Sequence, residues 1–492
     1  MKCKKIEEIY IMEDNNFTPM MKQYLEIKEE IKDSILFFRL GDFYEMFFDD
    51  AKEASKILHI TLTGRNAGKD TKVPMCGIPY HSANNYVARL IKNGKKVAIC
   101  EQMETAGQGI KLVRREITKI ITPGTFIADE ILQDSVNNYL LSLYPSENIF
   151  GIAYTDISTG EFRVTELNNK EDFFSELYKI SPVECLLPEN FSKDKRYLEI
   201  KNANLGSITN ADEWMFDYDF AVKELQNHFA VKSLLGFGCS EMKLALCAAG
   251  ALLKYLKNTQ KSALPNITNM TPYRLTNVMT LDWNSQRNLE LIHNMEDYSH
   301  EGTLLSVLNS TKTPMGKRQL KKWILNPLIN KIEIEKRLDA VNFFHDNKTS
   351  REKTRELMEK IYDIDRLSNK VSIGSANARD MCSLSFSLKA VTELKTIFNT
   401  DSSSVLLKEL LDNLDNFSDV IEKIDTCIID SPPVSIKDGD IIKHGYSPEV
   451  DKLKKIVSHG KDWLAELQAK EIKRTGINSL KVGYTKNFGY YI

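Results

Sequence analysis

Along this chain the apolar positions change their period several times, and each change marks an element. MMKQYLEIKEEIKD (20–33) spaces its apolar residues as a helix does, and ILFFRLG (35–41) follows as a nearly unbroken apolar run, the pattern of a buried strand. DDAKEASKILHI (49–60) returns to the helical period, with Asp49 and Asp50 placed in the first turn, where carboxylates stabilise the helix dipole. TGRNAGKDTK (63–72) is polar and glycine-rich and is expected to be a loop. It leads through VPMCGIPYHS to a helix at NNYVARLIKNG, a strand at KKVAICEQ and an alternating, basic edge strand in KLVRREITKIITP (111–123). Interleaved helices and strands make residues 1–125 a small mixed α/β domain.

Residues 126–145 have the pattern of a helical link. From 148 a second α/β unit begins with NIFGIAYTDISTGEFRVTEL, an alternating hairpin turning at Ser158-Thr159-Gly160. ECLLP (184–188) is a further strand, and CSEMKLALCAAGALLKYLKNT (239–259) a strong helix. From about 285 the helical period dominates, in GTLLSVLNSTKTPMGKRQLKKWIL, in IEIEKRLDAVNFFHDN and in the run from Ser350 to Asn399. DSPPVSIKDGDIIKHGYSPEV (430–450) is a turn-rich break before a last helix, VDKLKKIVSHGKDWLAELQAKEIKR, and LKVGYTKNFGYYI is expected as a strand with nothing left to pair with. The fold class is therefore multidomain α/β plus all-α.

A chain of 492 residues is long enough for several separate cores. The net charge of −2 carries no global mark of a polyanionic partner, but the charge is split locally. Residues 1–50 hold 7 Lys/Arg against 12 Asp/Glu, whereas residues 52–119 hold 13 against 5. A basic stretch this close to the N-terminal aromatic cluster raises the odds of nucleic-acid contact, although solvated helix faces give smaller imbalances of the same kind. The eight cysteines are scattered without a CxxC pair, which suits free thiols in a reducing cytoplasm. Neither a signal peptide nor an apolar run of membrane-spanning length is present, so the expected location is cytoplasmic, with no membrane partner.

Tests for catalytic motifs return little. A phosphate-binding loop needs GxxxxGK[ST]; Gly64-Arg65-Asn66-Ala67-Gly68-Lys69-Asp70 is one spacer short and ends in aspartate, and Gly316-Lys317-Arg318 also fails. HExxH and GxSxG are absent, and the histidines never stand at ligand spacing. One enzymatic alternative remains: Asp156 and Glu161, on or near one hairpin, could hold metal ions for phosphodiester hydrolysis, making a metal-dependent structure-specific nuclease. The plainer reading makes them solvent-facing positions around a turn.

LGDFYEMFF (40–48) puts four aromatics within six residues, interrupted by a glutamate. In an extended segment Phe43 and Glu45 project to one side and Tyr44 to the other. An aromatic wedge enters and unstacks a base step most cheaply where pairing is already faulty. Beside it, a carboxylate is repelled by phosphates and is useful only if it accepts a hydrogen bond from a base edge. Aromatic-rich strand ends that simply pack are common, so both readings stand on local chemistry alone.

GDFYEMFFDDAKEASKIL, VPMCGIPYHS, VAICEQ, ITPGT, FGIAYTDISTGEF, LDWNSQRNLEL, IYDIDRLSNKVSIGSANARDM and LKVGYTKNFGYYI, in that order, resemble the bacterial MutS family of DNA mismatch recognition proteins. The resemblance covers essentially the whole chain. It implies a mismatch-recognition domain at 1–125 and an RNase H-like connector at 126–272. A helical core with levers at 273–443 and a lever end with the first part of a clamp at 444–492 would follow. It implies that Phe43 stacks on a mispaired base and Glu45 hydrogen-bonds to it. Arg65 and Lys69 are weaker candidates for the DNA backbone, from charge and position. The partners implied are double-stranded DNA with mismatches or small loops, a second copy of the chain, and a downstream MutL-like protein. The family also has a C-terminal ATPase domain using ATP and Mg; no P-loop lies in these residues, so no cofactor is expected here and the chain is expected to be an N-terminal fragment.

Overall fold

The run ILFFRLG is apolar on both sides because both of its faces are covered. The computed structural model describes residues 17–68, 71–104, 112–126, 136–203, 205–398, 404–485 and 489–491. They fall into two compact units: Met1–Arg355 with Asp363–Ser375 and Ser402–Lys408, and Glu356–Tyr362 with Ala376–Asp401 and Glu409–Ile492.

The first unit opens with helix α1 (Pro19–Glu30), strands β1 (Ser34–Leu40) and β2 (Phe43–Phe47), helix α2 (Phe48–Leu58) and strands β3 (Thr63–Gly68) and β4 (Thr71–Pro79). Helix α3 (Ala83–Lys92) and strands β5 (Lys96–Gln102) and β6 (Arg115–Ile121) complete a six-stranded sheet ordered β3-β4-β2-β1-β5-β6. The expected edge strand is thus β6. One face packs Phe37, Tyr44, Met46, Ile78 and Val97 against the apolar sides of α2 and α3. The other packs Leu36, Phe38, Phe47, Val73 and Ala98 against Met21 and Tyr24 of α1. Asp50 ties the layers together: its carboxylate accepts from Leu36 N at 2.9 Å and pairs with Lys28 Nζ at 2.9 Å. Burial nonetheless pushes the Asp50 pKa up, with Lys28 opposing it.

The expectation of a loop over 63–72 is wrong. TGRNAG forms β3, an edge strand antiparallel to β4, with a register shift between Asn66 and Gly68. Small residues hide a strand from a periodicity test, because Gly64, Ala67 and Gly68 carry no pattern of large apolar side chains.

A second six-stranded sheet follows, ordered β11-β10-β7-β8-β9-β12, from β7 (Leu140–Ser146), β8 (Ile149–Asp156), β9 (Glu161–Leu167), β10 (Glu184–Pro188), β11 (Ser207–Ala211) and β12 (Thr271–Pro272). Strands β7, β8 and β9 are antiparallel neighbours, while β10 runs parallel to β7 and β11. The helical link expected over 126–145 is not found among its described residues, which are irregular at 126 and 136–139 and form β7 from Leu140 onward. Leu140 enters the core on one face and Leu141 and Leu143 the core on the other, so a doubly covered strand shows no alternation. Helices α4 (Lys170–Ile180), α5 (Lys195–Asn202), α6 (Tyr218–Phe229) and α7 (Lys243–Gln260) cover the sheet. Helix α7 comes so close to β8 that a Cβ on Gly151 would lie 2.1 Å from Leu244 C. Buried Glu184 accepts from Gly124 N at 2.9 Å, Thr209 Oγ1 at 2.6 Å and Tyr255 Oη at 2.7 Å, which gives the ITPGT segment its anchor.

Short helices α8 (Trp283–Asn288), α9 (Leu304–Leu308), α10 (Pro314–Leu325), α11 (Lys331–Asp346), α12 (Lys348–Met358) and α13 (Ile364–Ser372) follow. Side-chain caps start several of them: Thr313 accepts from Gly316 N, Asn330 from Ile332 N and Asp363 from Arg366 N. Helix α13 grips the β8–β9 turn, with Asn369 Nδ2 donating to Ile157 O at 2.7 Å and Arg366 Nη2 to Val136 O at 2.7 Å.

In the second unit helix α14 (Ala378–Ile397) starts at a capping box between Asn377 and Asp380. It packs on α16 (Ser418–Cys427), reached after α15 (Val405–Asp412), and Ser385 Oγ donates to Asp425 at 2.7 Å. Helix α17 (Pro448–Thr475) leads to β13 (Gly483–Thr485) and β14 (Gly489–Tyr491). The terminal strand is not left unpaired, because β13 and β14 pair antiparallel with each other. Among the described residues no helix is long and apolar enough to cross a membrane.

Candidate functional site

The tip of the β1–β2 hairpin forms the candidate site. Leu40 stands opposite Phe43, so only Gly41 and Asp42 connect the strands. Gly41 has φ +59°, the left-handed value that the first residue of such a tight turn requires, and a Cβ there would meet nothing. Beyond the turn β2 alternates as its sequence suggests. Tyr44 and Met46 enter the core under α2 and α3, leaving Phe43, Glu45 and Phe47 on the other face.

Exposure rises steadily along that face. Phe47 is fully buried, with the Tyr24 ring at 4.9 Å; Glu45 is half-buried; Phe43 is 48% exposed. A phenylalanine left half in water at a hairpin tip gains little from folding. Its position offers a flat apolar surface to something outside the chain.

Glu45 is not alone. It faces Gly77 on β4, the strand between β2 and β3, and that glycine places no side chain beside it. Arg65 reaches across from β3, and its Nη1 donates to Glu45 Oε2. The carboxylate and the guanidinium proposed for separate tasks are thus an ion pair. Lys69 lies outside the described residues. Arg115, on the same sheet, is committed internally: Nε donates to Arg39 O at 2.8 Å and Nη1 to Gln23 Oε1 at 2.9 Å, over the Phe38 ring.

The opposite face fixes the hairpin's orientation. Tyr44 Oη donates to Glu101, and Arg39 lies over the Tyr80 ring at 3.7 Å while pairing with Glu101 at 3.6 Å. Burial first, then Glu101, pushes the Tyr44 hydroxyl pKa upward, so it stays a donor. Sequence reasoning passed over this cluster; its signal was Arg39, a lone cation in an apolar strand.

The nuclease alternative finds no support. Asp156 is fully buried, which overturns the solvent-facing reading as well. Its carboxylate accepts from Ser158 N at 2.9 Å, Ser158 Oγ at 2.6 Å, Asn137 Nδ2 at 2.8 Å and Asn138 N at 3.2 Å. Glu161 accepts from Tyr139 Oη at 3.0 Å and pairs with Lys322 at 2.8 Å and Arg163 at 3.1 Å. Both carboxylates close internal networks. Among the described residues no cluster of His, Cys, Asp and Glu is arranged to hold a metal ion. The two glycine-lysine stretches tested as phosphate-binding loops are regular elements, Gly64–Gly68 in β3 and Gly316-Lys317-Arg318 in α10.

The sequence matches MutS domain I over residues 18–130, MutS domain II over 138–268 and MutS domain III over 284–481. Among similar proteins, the DNA mismatch repair protein MutS of Lachnoclostridium phytofermentans is 45% identical over 476 residues, covering 96% of this chain and 51% of its own length. That of Ruminiclostridium cellulolyticum is 45% identical over 479 residues, covering 96% and 54%. For Acetivibrio thermocellus the identity is 45% over 481 residues, covering 97% and 55%. The chain spans about half the length of these curated relatives. With three consecutive domain matches and this identity along nearly all of its residues, the chain belongs to the MutS family.

Proposed function

We propose that this chain is the DNA-reading part of a mismatch repair protein, and that the β1–β2 hairpin probes base pairs. The observation that carries the reading is Phe43, 48% exposed at a tight turn, with Glu45 on the same face. Phe43 is the wedge. Stacking on a base is worth about 1–3 kcal/mol, and unstacking costs less at a step whose pairing is already faulty. Glu45 accepts a hydrogen bond from the displaced base and repels an undamaged backbone, so the same carboxylate rewards a mismatch and penalises perfect duplex. Arg65 neutralises Glu45 in the free protein and turns to a phosphate when DNA arrives, with Lys69 as a second backbone contact.

The remaining domains serve this hairpin in our reading. An RNase H-like connector at 126–272, a helical core with levers at 273–443 and the start of a clamp at 444–492 hold the first domain against bent duplex. In the whole protein, ATP and Mg act in a further domain, two copies assemble, and a MutL-like protein is engaged, all in the cytoplasm.

Fluorescence anisotropy with a labelled G·T duplex and its homoduplex tests the proposal. Phe43→Ala is expected to bring the two affinities together while the melting temperature stays within a few degrees, because the ring is half exposed. Unchanged discrimination in a folded variant would refute the wedge.

A further inference from the structure

A cavity of about 310 Å³ opens among α4, α10, α11 and the segment after β12, within the size range of small-ligand sites. Seven of its lining side chains are cationic, and only Glu176 is anionic. Three of the cations have carboxylates at hand. Arg163 and Lys322 pair with Glu161, and Arg318 pairs with Asp363 at 2.5 Å and Asp365 at 2.9 Å.

Lys179 also has a carboxylate, Glu176, within ion-pair distance, and the last three cations have none among the described residues. Lys179, in the last turn of α4, is buried, and its Nζ has no hydrogen-bond partner. It stays 3.6 Å from Glu176 Oε2, an atom that is also buried and also lacks a hydrogen bond. Lys321 on α10 and Arg274, two residues after β12, have no ion-pair partner among the described residues. Arg337 on α11 lies over the Trp323 ring at 4.0 Å. Burial lowers the Lys321 pKa with no carboxylate to offset it, the mark of a cation withdrawn from water without a counter-charge. Lys321 is the only one of these four so placed, since Arg274 is exposed and Arg337 stacks on a ring; with Lys179 enclosed beside it, the excess positive charge lining this space favours an anion.

We infer that this cavity binds a small phosphate-bearing anion, with a diphosphate group seated among Lys179, Lys321, Arg274 and Arg337. A single carboxylate would answer one of these charges, whereas a diphosphate carries several and offers the oxygen pairs that guanidinium groups grip in parallel. A duplex backbone suits the site poorly, since Lys179 is buried within it. The inference does not depend on the hairpin reading.

Isothermal titration of the 492-residue chain with inorganic diphosphate, at fixed ionic strength, tests it. Saturable one-site binding is expected, weakened about tenfold to a hundredfold by Lys321→Gln and by Arg274→Gln, and unchanged by Lys193→Gln on the exposed surface. Arg274 is exposed, so its variant keeps the test valid should Lys321→Gln fail to fold. Parallel titrations with ADP and GDP distinguish the source: equal affinities mean that the phosphates alone are held, and tighter binding means that the nucleoside is held too. No heat with diphosphate, or equal binding by the variants, would overturn the inference. So would a loss of duplex affinity in the variants without any diphosphate binding, which would make these cations a backbone contact.

Discussion

The Glu45–Arg65 pair makes the most discriminating prediction, because each partner has a separate role once DNA is present. Glu45→Ala releases Arg65, and a released arginine next to duplex becomes one more phosphate contact. Each such contact steepens the slope of log affinity against log salt by about 0.9, so at about 0.1 M salt the variant should bind homoduplex roughly eightfold more tightly. Removing the carboxylate also removes its repulsion of the backbone, which acts in the same direction. The G·T duplex makes the same new contact, worth about 1.2 kcal/mol, but loses a hydrogen bond to a charged acceptor worth about 1.5–3 kcal/mol, so its affinity should fall slightly. Discrimination therefore falls from both sides, as homoduplex binding improves and G·T binding weakens. The fold should barely register the change: Arg65 is partly in water, and pairs of this kind contribute about 1 kcal/mol or less. Anisotropy titrations of both duplexes between about 0.05 and 0.2 M salt, with Glu45→Ala, Arg65→Ala and the double variant, separate the two contributions. In the double variant the extra slope should vanish, leaving only the gain from lost repulsion. If Glu45→Ala leaves the slope unchanged, or the double variant keeps the whole gain, Arg65 is a bystander and the argument fails.

Other outcomes follow from the core. Gly151→Ala forces a methyl group into the backbone of α7 and should destabilise the second sheet by about 3 kcal/mol, read from chemical denaturation; wild-type stability would refute the close approach. Asp156→Ala should cost about 2–4 kcal/mol by stranding its Ser158, Asn137 and Asn138 donors. Mg-dependent cleavage of branched or mismatched duplex that disappeared in that variant would instead revive the nuclease. Burial pushes the thiols of Cys76 and Cys247 up to about 11 and those of Cys100 and Cys185 up to about 12. At about pH 8 these four are protonated as well as enclosed, so alkylation of the native chain should reach Cys382 and Cys427 before any of them, as peptide mapping would reveal.

The legible parts of the sequence were helices with a clear period and, in β1, a continuous apolar run long enough to mark a buried strand. The pairing of Phe43 with Glu45 on one face could be derived from period alone, and the helices α1, α2, α3 and α7 came close to their observed spans. Elements covered on both sides, such as β7, or built from small residues, such as β3, gave no alternation to detect. The terminal hairpin escaped because pairing is a relation between two segments, and period describes only one. At the site, the bond from Arg65 to Glu45 depends on β4 lying between their strands with a glycine at the crossing point. No window of sequence contains that arrangement. The same holds for the basic cavity, whose cations come from five segments and carry no local signature.

The grip of α13 on the β8–β9 turn has a consequence for how such a protein is inherited. Ile157 and Asn369 are 212 residues apart, yet the carbonyl of the first accepts from the side-chain amide of the second, and Arg366 donates to the Val136 carbonyl in the same way. A change that reshapes the turn finds its compensation far down the chain. The piece that recombination can exchange without damage is therefore the second domain together with a distant helix, and a chimaera cut between them would need both halves to have drifted in step.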